Sequence, residues 1–271
     1  MTDDSTRVPF APDGRPLALW RLALVGLAGG LFSGVFGVGG GIVMVPLLLL
    51  LTRLGERRAA ATSLAAIVPA SVAGVVTYAA RGDVAVVVAV LIALAAMGGS
   101  ALGTWILRRV RVDVFRWLLV ALLLVAAVQM VLTVPERDGS LTLTWASAPG
   151  LVALGLVTGI LSGLFGIGGG IVIVPVLVAG FGASDLLAKG TSLLVIIPTA
   201  LTGTYFNLRH RLVEVRDGLV VGVAAGLAAS IGALAAGVLA PRVAAVLFAV
   251  LMLAFAAQLA VRAIRARRRD H

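Results

Sequence analysis

Apolar stretches follow one another along this chain at 17–36, 41–52, 58–80, 84–107, 112–134, 149–165, 170–181, 187–208, 213–239 and 242–261, separated by short polar or charged segments. A helix of roughly 20 apolar residues crosses a hydrocarbon core of about 30 Å, so most of these stretches are long enough to span a bilayer. The 271 residues are 61% hydrophobic and 13% charged, with a mean hydropathy of +1.12. Soluble domains lie near half apolar and a quarter charged. The predicted fold class is therefore an all-α polytopic membrane protein.

The chain is also doubled. "FGVGGGIVMVP" at 36–46 returns as "FGIGGGIVIVP" at 165–175, and a shift of 129 positions matches 12 of 17 residues between 30–46 and 159–175. The same shift pairs Thr62-Ser63-Leu64 with Thr191-Ser192-Leu193, Pro69 with Pro198, Gly74 with Gly203 and Gly103 with Gly232. Internal repetition of this length fixes the organisation. A tail (1–16) precedes repeat 1 (17–134), an extracytoplasmic linker occupies 135–148, repeat 2 covers 149–264, and a basic tail (265–271) ends the chain. Each half has a short second stretch; 41–52 makes a helix of only about 18 Å. The first two stretches of each half are either a re-entrant hairpin or two crossings, and in both cases each half crosses an odd number of times. The predicted fold is two inverted-topology repeats, each a Gly-interrupted short-helix hairpin plus three transmembrane helices.

Basic residues support that orientation. With the N-terminus inside, the segments 1–21, 53–58, 108–116, 209–216 and 262–269 carry 18 of the 22 Lys and Arg. Arg81, Arg137, Lys189 and Arg242 remain outside. Cytoplasmic segments carry such an excess, so both termini are expected in the cytoplasm. The net charge of +10 thus reads as an orientation signal, not as a nucleic-acid surface.

Inverted repeats with broken helices are the build of secondary transporters, whose site lies near the midplane at the repeat interface. Gly37, Gly39, Gly40 and Gly41 let the chain reverse there, and a short helix then begins with free N–H groups, a ready anion site. Gly168, Gly169 and Gly170 are expected to do the same from the opposite side. Gly99 and Gly103 read as close helix packing. Thr62, Ser63, Thr191 and Ser192 are hydroxyls at expected helix beginnings, suited to capping and to holding an oxyanion. Lys189, the single lysine, either draws anions into an outer vestibule or snorkels to the interface. Tyr205 and Asn207 either line an exit or anchor the helix at the interface. No nucleotide loop is expected, since no third glycine and no Lys-Ser/Thr follows.

The carboxylates Asp83, Asp113, Asp185, Glu214 and Asp217 all fall at the ends of apolar stretches, whereas proton and cation carriers keep one buried. The expected substrate is an anion, which the membrane potential drives outward with about 2.3 kcal/mol per 100 mV without a coupling ion. Cysteine is absent, and His210 and His271 lie among charges. No catalytic residues, metal or cofactor are expected, and the chain is not expected to be an enzyme.

The doubled F-G-[VI]-G-G-G-[IV]-[VI]-x-V-P with [AG]-T-S-L following resembles the TauE/SafE sulfite-exporter family, also called the toluenesulfonate uptake permease family, over about 17–264. The resemblance implies a bacterial inner-membrane permease for sulfite, sulfonates or related anions. It implies substrate contacts at Gly39, Gly40, Gly41, Thr62 and Ser63, and at Gly168, Gly169, Gly170, Thr191 and Ser192. Ala60 faces Lys189 across the repeat, so the implied site is asymmetric. An anion channel of the same architecture, a permease for carboxylates or another small solute, and a membrane scaffold are the competing readings. The expected partners are a small anion and the lipid bilayer, with no nucleic acid; the oligomeric state stays open, a homo-oligomer included.

Overall fold

The computed structural model describes residues 18–52, 54–132 and 148–267. The tail 1–16, the linker except Ala148, and residues 268–271 lie outside the described residues. The described elements are all helices: α1 (Leu19–Phe36), α2 (Gly41–Leu51), α3 (Glu56–Ala79), α4 (Val86–Arg109), α5 (Val112–Leu132), α6 (Ala148–Phe165), α7 (Gly170–Phe181), α8 (Asp185–Arg209), α9 (Val215–Ala236) and α10 (Pro241–Arg267). Six of them (α1, α3, α4, α6, α8 and α9) are long and apolar enough to cross a membrane. Large apolar side chains such as Leu94, Leu227 and Ile231 point outward. On a soluble protein so much exposed apolar surface would be a liability; in lipid it is the solvated face.

Gly37 ends α1 in the left-handed region, its N–H bonding Ser33 O at 2.9 Å, and α2 starts four residues later. Arg21 Nη1, in the first turn of α1, donates to Leu51 O at the end of α2 at 3.0 Å. The two helices therefore form a hairpin with its ends together. In the second half, a methyl group at Gly150 near the start of α6 would touch Phe181 at the end of α7. Helices α2 and α7, of 11 and 12 residues, are too short at about 1.5 Å per residue for a core of about 30 Å, so of the two options the sequence leaves open the geometry fits the hairpin.

The hairpins are clamped by glycine stripes. On α1, Gly26, Gly30 and Gly34 sit against the carbonyl oxygens of Val221, Ala225 and Ala229 in α9. On α6, Gly155, Gly159 and Gly163 sit against those of Ile92, Ala96 and Ser100 in α4. A spacing of four places each trio on one helix face, and small residues there let two backbones touch where lipid offers no hydrophobic drive. Adding 129 to the residues of one α6/α4 contact set, or subtracting it, turns it into the α1/α9 set. Gly99 and Gly103 pack against Leu156 and Ile160 of α6, the close packing expected of them. In the centre α3 lies against α8, flanked by α9 and α4, while α5 and α10 pair with each other at the side. Phe115 of α5 meets Phe165 at the α6 turn, with ring centroids 5.5 Å apart.

These contacts predict a sharp contrast between glycines. Gly30→Ala drives a methyl into the Ala225 backbone and should cost about 1–3 kcal/mol. Gly98→Ala, with nothing within 4 Å of the new methyl, should gain about 0.5–1 kcal/mol of helix stability. Unfolding of the detergent-solubilised protein measures both.

Candidate functional site

The two glycine turns meet in the buried middle of the molecule. Gly37, Gly39 and Gly40 hold φ of 67, 82 and 74°, and Gly166, Gly168 and Gly169 hold 69, 88 and 82°. Side chains rarely adopt these angles, so the glycines are required by the turn itself. Gly41 and Gly170 have ordinary angles but no room: a methyl at Gly41 would overlap Gly166 O and Ile167, and one at Gly170 would overlap Gly37 O and Val38. Each turn is therefore seated on the other. Ile67 of α3 and Ile196 of α8 lie beside this contact, each within contact distance of a Cβ placed at Gly39 or at Gly168.

Helices α2 and α7 both begin at this junction, at Gly40 and Gly169, without a side-chain cap. The first N–H groups of a helix have no partner inside it, and here they start in a region where every residue from Phe36 to Pro46 is buried. Their positive ends favour a negative group.

Thr62, Ser63, Thr191 and Ser192 do not lie at helix beginnings as expected. Helix α3 starts at Glu56 and α8 at Asp185, each with its acidic residue in the first turn, where it suits the helix dipole. The cap of α8 is Ser184, which accepts from Leu187 N at 3.3 Å. The four hydroxyls are buried nearly two turns further on and have divided roles. Ser63 Oγ donates to Gly166 O at 2.8 Å, tying α3 to the opposite turn. Thr191 Oγ1 accepts from Ala85 N at 2.9 Å, fixing the loop before α4. Ser192 Oγ has no partner and lies beside Gly170, 2.9 Å from where a Cβ would stand.

The carboxylate expectation also changes. Asp185 and Asp217 are buried, at 4% and 6% exposure, although both sit at ends of apolar stretches. Asp185 Oδ2 accepts from Lys189 Nζ at 2.6 Å. Lys189, only 2% exposed, therefore does not snorkel, nor does its head line an open vestibule. Its stem packs on Gly37, and its ammonium is neutralised one turn away on its own helix. Tyr205 and Asn207 part company, because residues two apart on a helix face different ways. Tyr205 is 55% exposed with the Arg209 guanidinium over its ring at 5.4 Å; Asn207 is fully buried with Nδ2 unpartnered.

Three buried residues were missed. Ser33 and Ser162, equivalent under the 129-residue shift, each lie one turn before a glycine turn with Oγ unpartnered. Ser33 Cβ stands 3.2 Å from the position a Cβ at Gly40 would take. Their signal was their identity within the matched block. Tyr78, the counterpart of Asn207, donates its hydroxyl to Gly34 O at 2.7 Å.

A helical membrane protein with two uncapped half-helices meeting at its buried centre, beside unpartnered hydroxyls and a buried cation, has the build of a multi-pass membrane transporter. A sequence profile described as "Sulfite exporter TauE/SafE" matches residues 5–130 and 151–271. The chain belongs to this family and is a membrane transporter. It is 34% identical over 201 residues to a "Probable membrane transporter protein" of Xylella fastidiosa, covering 70% of this chain and 73% of that protein. It is 28% identical over 177 residues to "Probable membrane transporter protein YdhB" of Bacillus subtilis, covering 64% and 72%. A shorter match, 41% over 90 residues, joins it to "Probable membrane transporter protein YunE" of the same bacterium, covering 31% and 33%.

The divided roles of the two serines are measurable. Ser63→Ala leaves a buried carbonyl without its donor and should cost about 1–3 kcal/mol. Ser192→Ala removes no hydrogen bond and should leave the unfolding midpoint near that of the native protein. Denaturation in detergent compares the two.

Proposed function

We propose that this transporter is a secondary carrier for small organosulfur anions such as sulfite and sulfonates in the bacterial inner membrane. The observation that carries the reading is the meeting of the α2 and α7 N-termini, both without side-chain caps, in a buried centre with the unpartnered hydroxyls of Ser33, Ser162 and Ser192 around it. Backbone N–H groups and hydroxyls are donors, and donors converging on one buried place suit an oxyanion. The family's name supplies the sulfur chemistry.

In this reading the halves are inverted and both termini lie in the cytoplasm. Arginine placement supports it. The Arg57 guanidinium at the start of α3 donates to Val110 O after α4 at 2.9 Å, and the Arg108 guanidinium donates to His210 Nε2 after α8. With Arg21 on Leu51, these pairings belong to the Arg-rich segments assigned to the cytoplasm. Arg81 instead bonds Ala233 O near the end of α9 at 3.2 Å. A carrier is preferred to a channel because the turns are seated on each other with Ile67 and Ile196 packed beside both, so passage requires a change of packing.

Flux of labelled sulfite and sulfonates into liposomes holding the purified protein tests this. Saturable uptake and exchange of labelled for unlabelled anion are expected. Gly40→Val and Gly169→Val should each lower uptake about tenfold or more, the loss of roughly 1.4 kcal/mol at the barrier. Carboxylate flux without sulfite or sulfonate flux would overturn the substrate assignment.

A further inference from the structure

The buried Asp185–Lys189 pair breaks the symmetry of the repeat. Its counterparts under the 129-residue shift are Glu56 and Ala60, which cannot pair with each other as Asp185 and Lys189 do. The pair is enclosed, at 4% and 2% exposure, and close, at 2.6 Å. Lys189 lies three residues before Ser192, on the same face of α8. Its stem touches Gly37, whose carbonyl lies against Gly170, and the free Ser192 hydroxyl lies against Gly170 as well. A cation, an unpartnered donor and the uncapped start of α7 are thus gathered in the second half alone. In the first half the charge is missing and the Ser63 hydroxyl is committed to Gly166 O.

Resting on the anion-carrier reading, we infer that an incoming monovalent oxyanion takes the Lys189 ammonium from Asp185, and that Asp185 then binds one proton, so that one anion and one proton cross together. The balance is simple. The empty site holds a carboxylate and an ammonium; the loaded site holds a neutral carboxylic acid and an ammonium–anion pair. The only bond formed is the carboxyl O–H, and the proton comes from water on the side of entry. A buried carboxylate stripped of its counter-ion is costly and neutralises itself by protonation. Both states carry no net charge, so either can reorient without moving charge through the membrane field. The coupling replaces the potential-driven scheme that the sequence suggests.

Other titratable groups surround this end. Tyr78 of α3 interacts electrostatically with Asp185, Arg81 and Asp83, and its hydroxyl is held by Gly34 O. Arg81 is held by Ala233 O. Asp83, in the loop before α4, has its carboxyl pushed above the usual range by burial, against the pull of Arg81, and its carbonyl packs on Gly190. Helix α7 and the first three turns of α4 carry no titratable side chain. Asp83 is therefore the competing proton site, and it serves as the control.

The test uses the full chain in liposomes with labelled methanesulfonate, which is permanently ionised and brings no proton of its own. A trapped pH dye reads the lumen. Methanesulfonate entry should acidify the lumen. An imposed gradient of about one pH unit, acid outside, should accumulate the anion about tenfold, one decade per unit for one proton. A potassium diffusion potential should not change that accumulation. Asp185→Asn should abolish acidification while sulfonate–sulfonate exchange persists, whereas Asp83→Asn should keep the proton signal. The double variant Asp185→Asn with Lys189→Gln should lose exchange as well, and size-exclusion profiles matching the native protein show that both variants are folded. Exchange without acidification in the native protein, or acidification that survives in Asp185→Asn, overturns the coupling and leaves the carrier reading standing. Native protein that exchanges neither methanesulfonate nor sulfite overturns both.

Discussion

The back-to-back contact of two glycine turns is the constraint on which the rest of the molecule depends. A chain that reverses inside an apolar medium leaves backbone groups without partners, each costing several kcal/mol in hydrocarbon. Here the turns shield one another: Gly41 sits on Gly166 and Ile167, and Gly170 on Gly37 and Val38. Ser63 contributes a hydrogen bond from α3 to the carbonyl of Gly166. No side chain larger than hydrogen fits at these contacts, and six of the glycines hold angles that side chains avoid. The repeated motif is therefore dictated by geometry at one point in space, approached twice.

Everything outside that point holds the two hairpins in place. Their long arms, α1 and α6, offer glycine stripes to α9 and α4, so that helix backbones touch. Such close approach replaces the hydrophobic drive that lipid cannot supply. The central helices α3 and α8 then present hydroxyls and Ile67 and Ile196 to the junction, and short segments before Glu56 and before Asp185 separate them from the hairpins. Because packing through backbone contact is stiff, any motion that exposes the junction to one side has to move whole helices. That fits a carrier in which the proposed inverted halves rock against each other.

Much of this was legible in the residues. The broken helices followed from three adjacent glycines between apolar stretches, and the packing of Gly99 and Gly103 followed from their spacing. What hydropathy could not give was depth. Asp185 stands at the end of an apolar stretch, yet the fold leaves it only 4% exposed and paired with Lys189. Thr62 and Ser63 were placed at a helix start because the apolar stretch begins there, whereas the helix begins earlier, at a charged turn. Ser33 and Ser162 passed unnoticed because a serine in a run of Gly and Leu resembles a packing residue; only the absence of a partner distinguishes them. Tyr205 and Asn207 were read together for nearness in sequence, although their spacing of two sends them to different faces.

The central claim is that the two hairpins enter from opposite faces of the membrane and meet in the middle. The chain has no cysteine, so single cysteines can report the side directly. Gly55, after the α1–α2 hairpin, and Gly182, after α6–α7, are exposed and have nothing within 4 Å of a new Cβ, and the left-handed backbone of Gly182 adds about 1–2 kcal/mol of strain to a cysteine there. The measurement is labelling of Gly55→Cys and Gly182→Cys with a membrane-impermeant maleimide in intact and permeabilised cells. The account predicts that Gly182→Cys reacts in intact cells and Gly55→Cys only after permeabilisation. Reaction of both from the same side would contradict it.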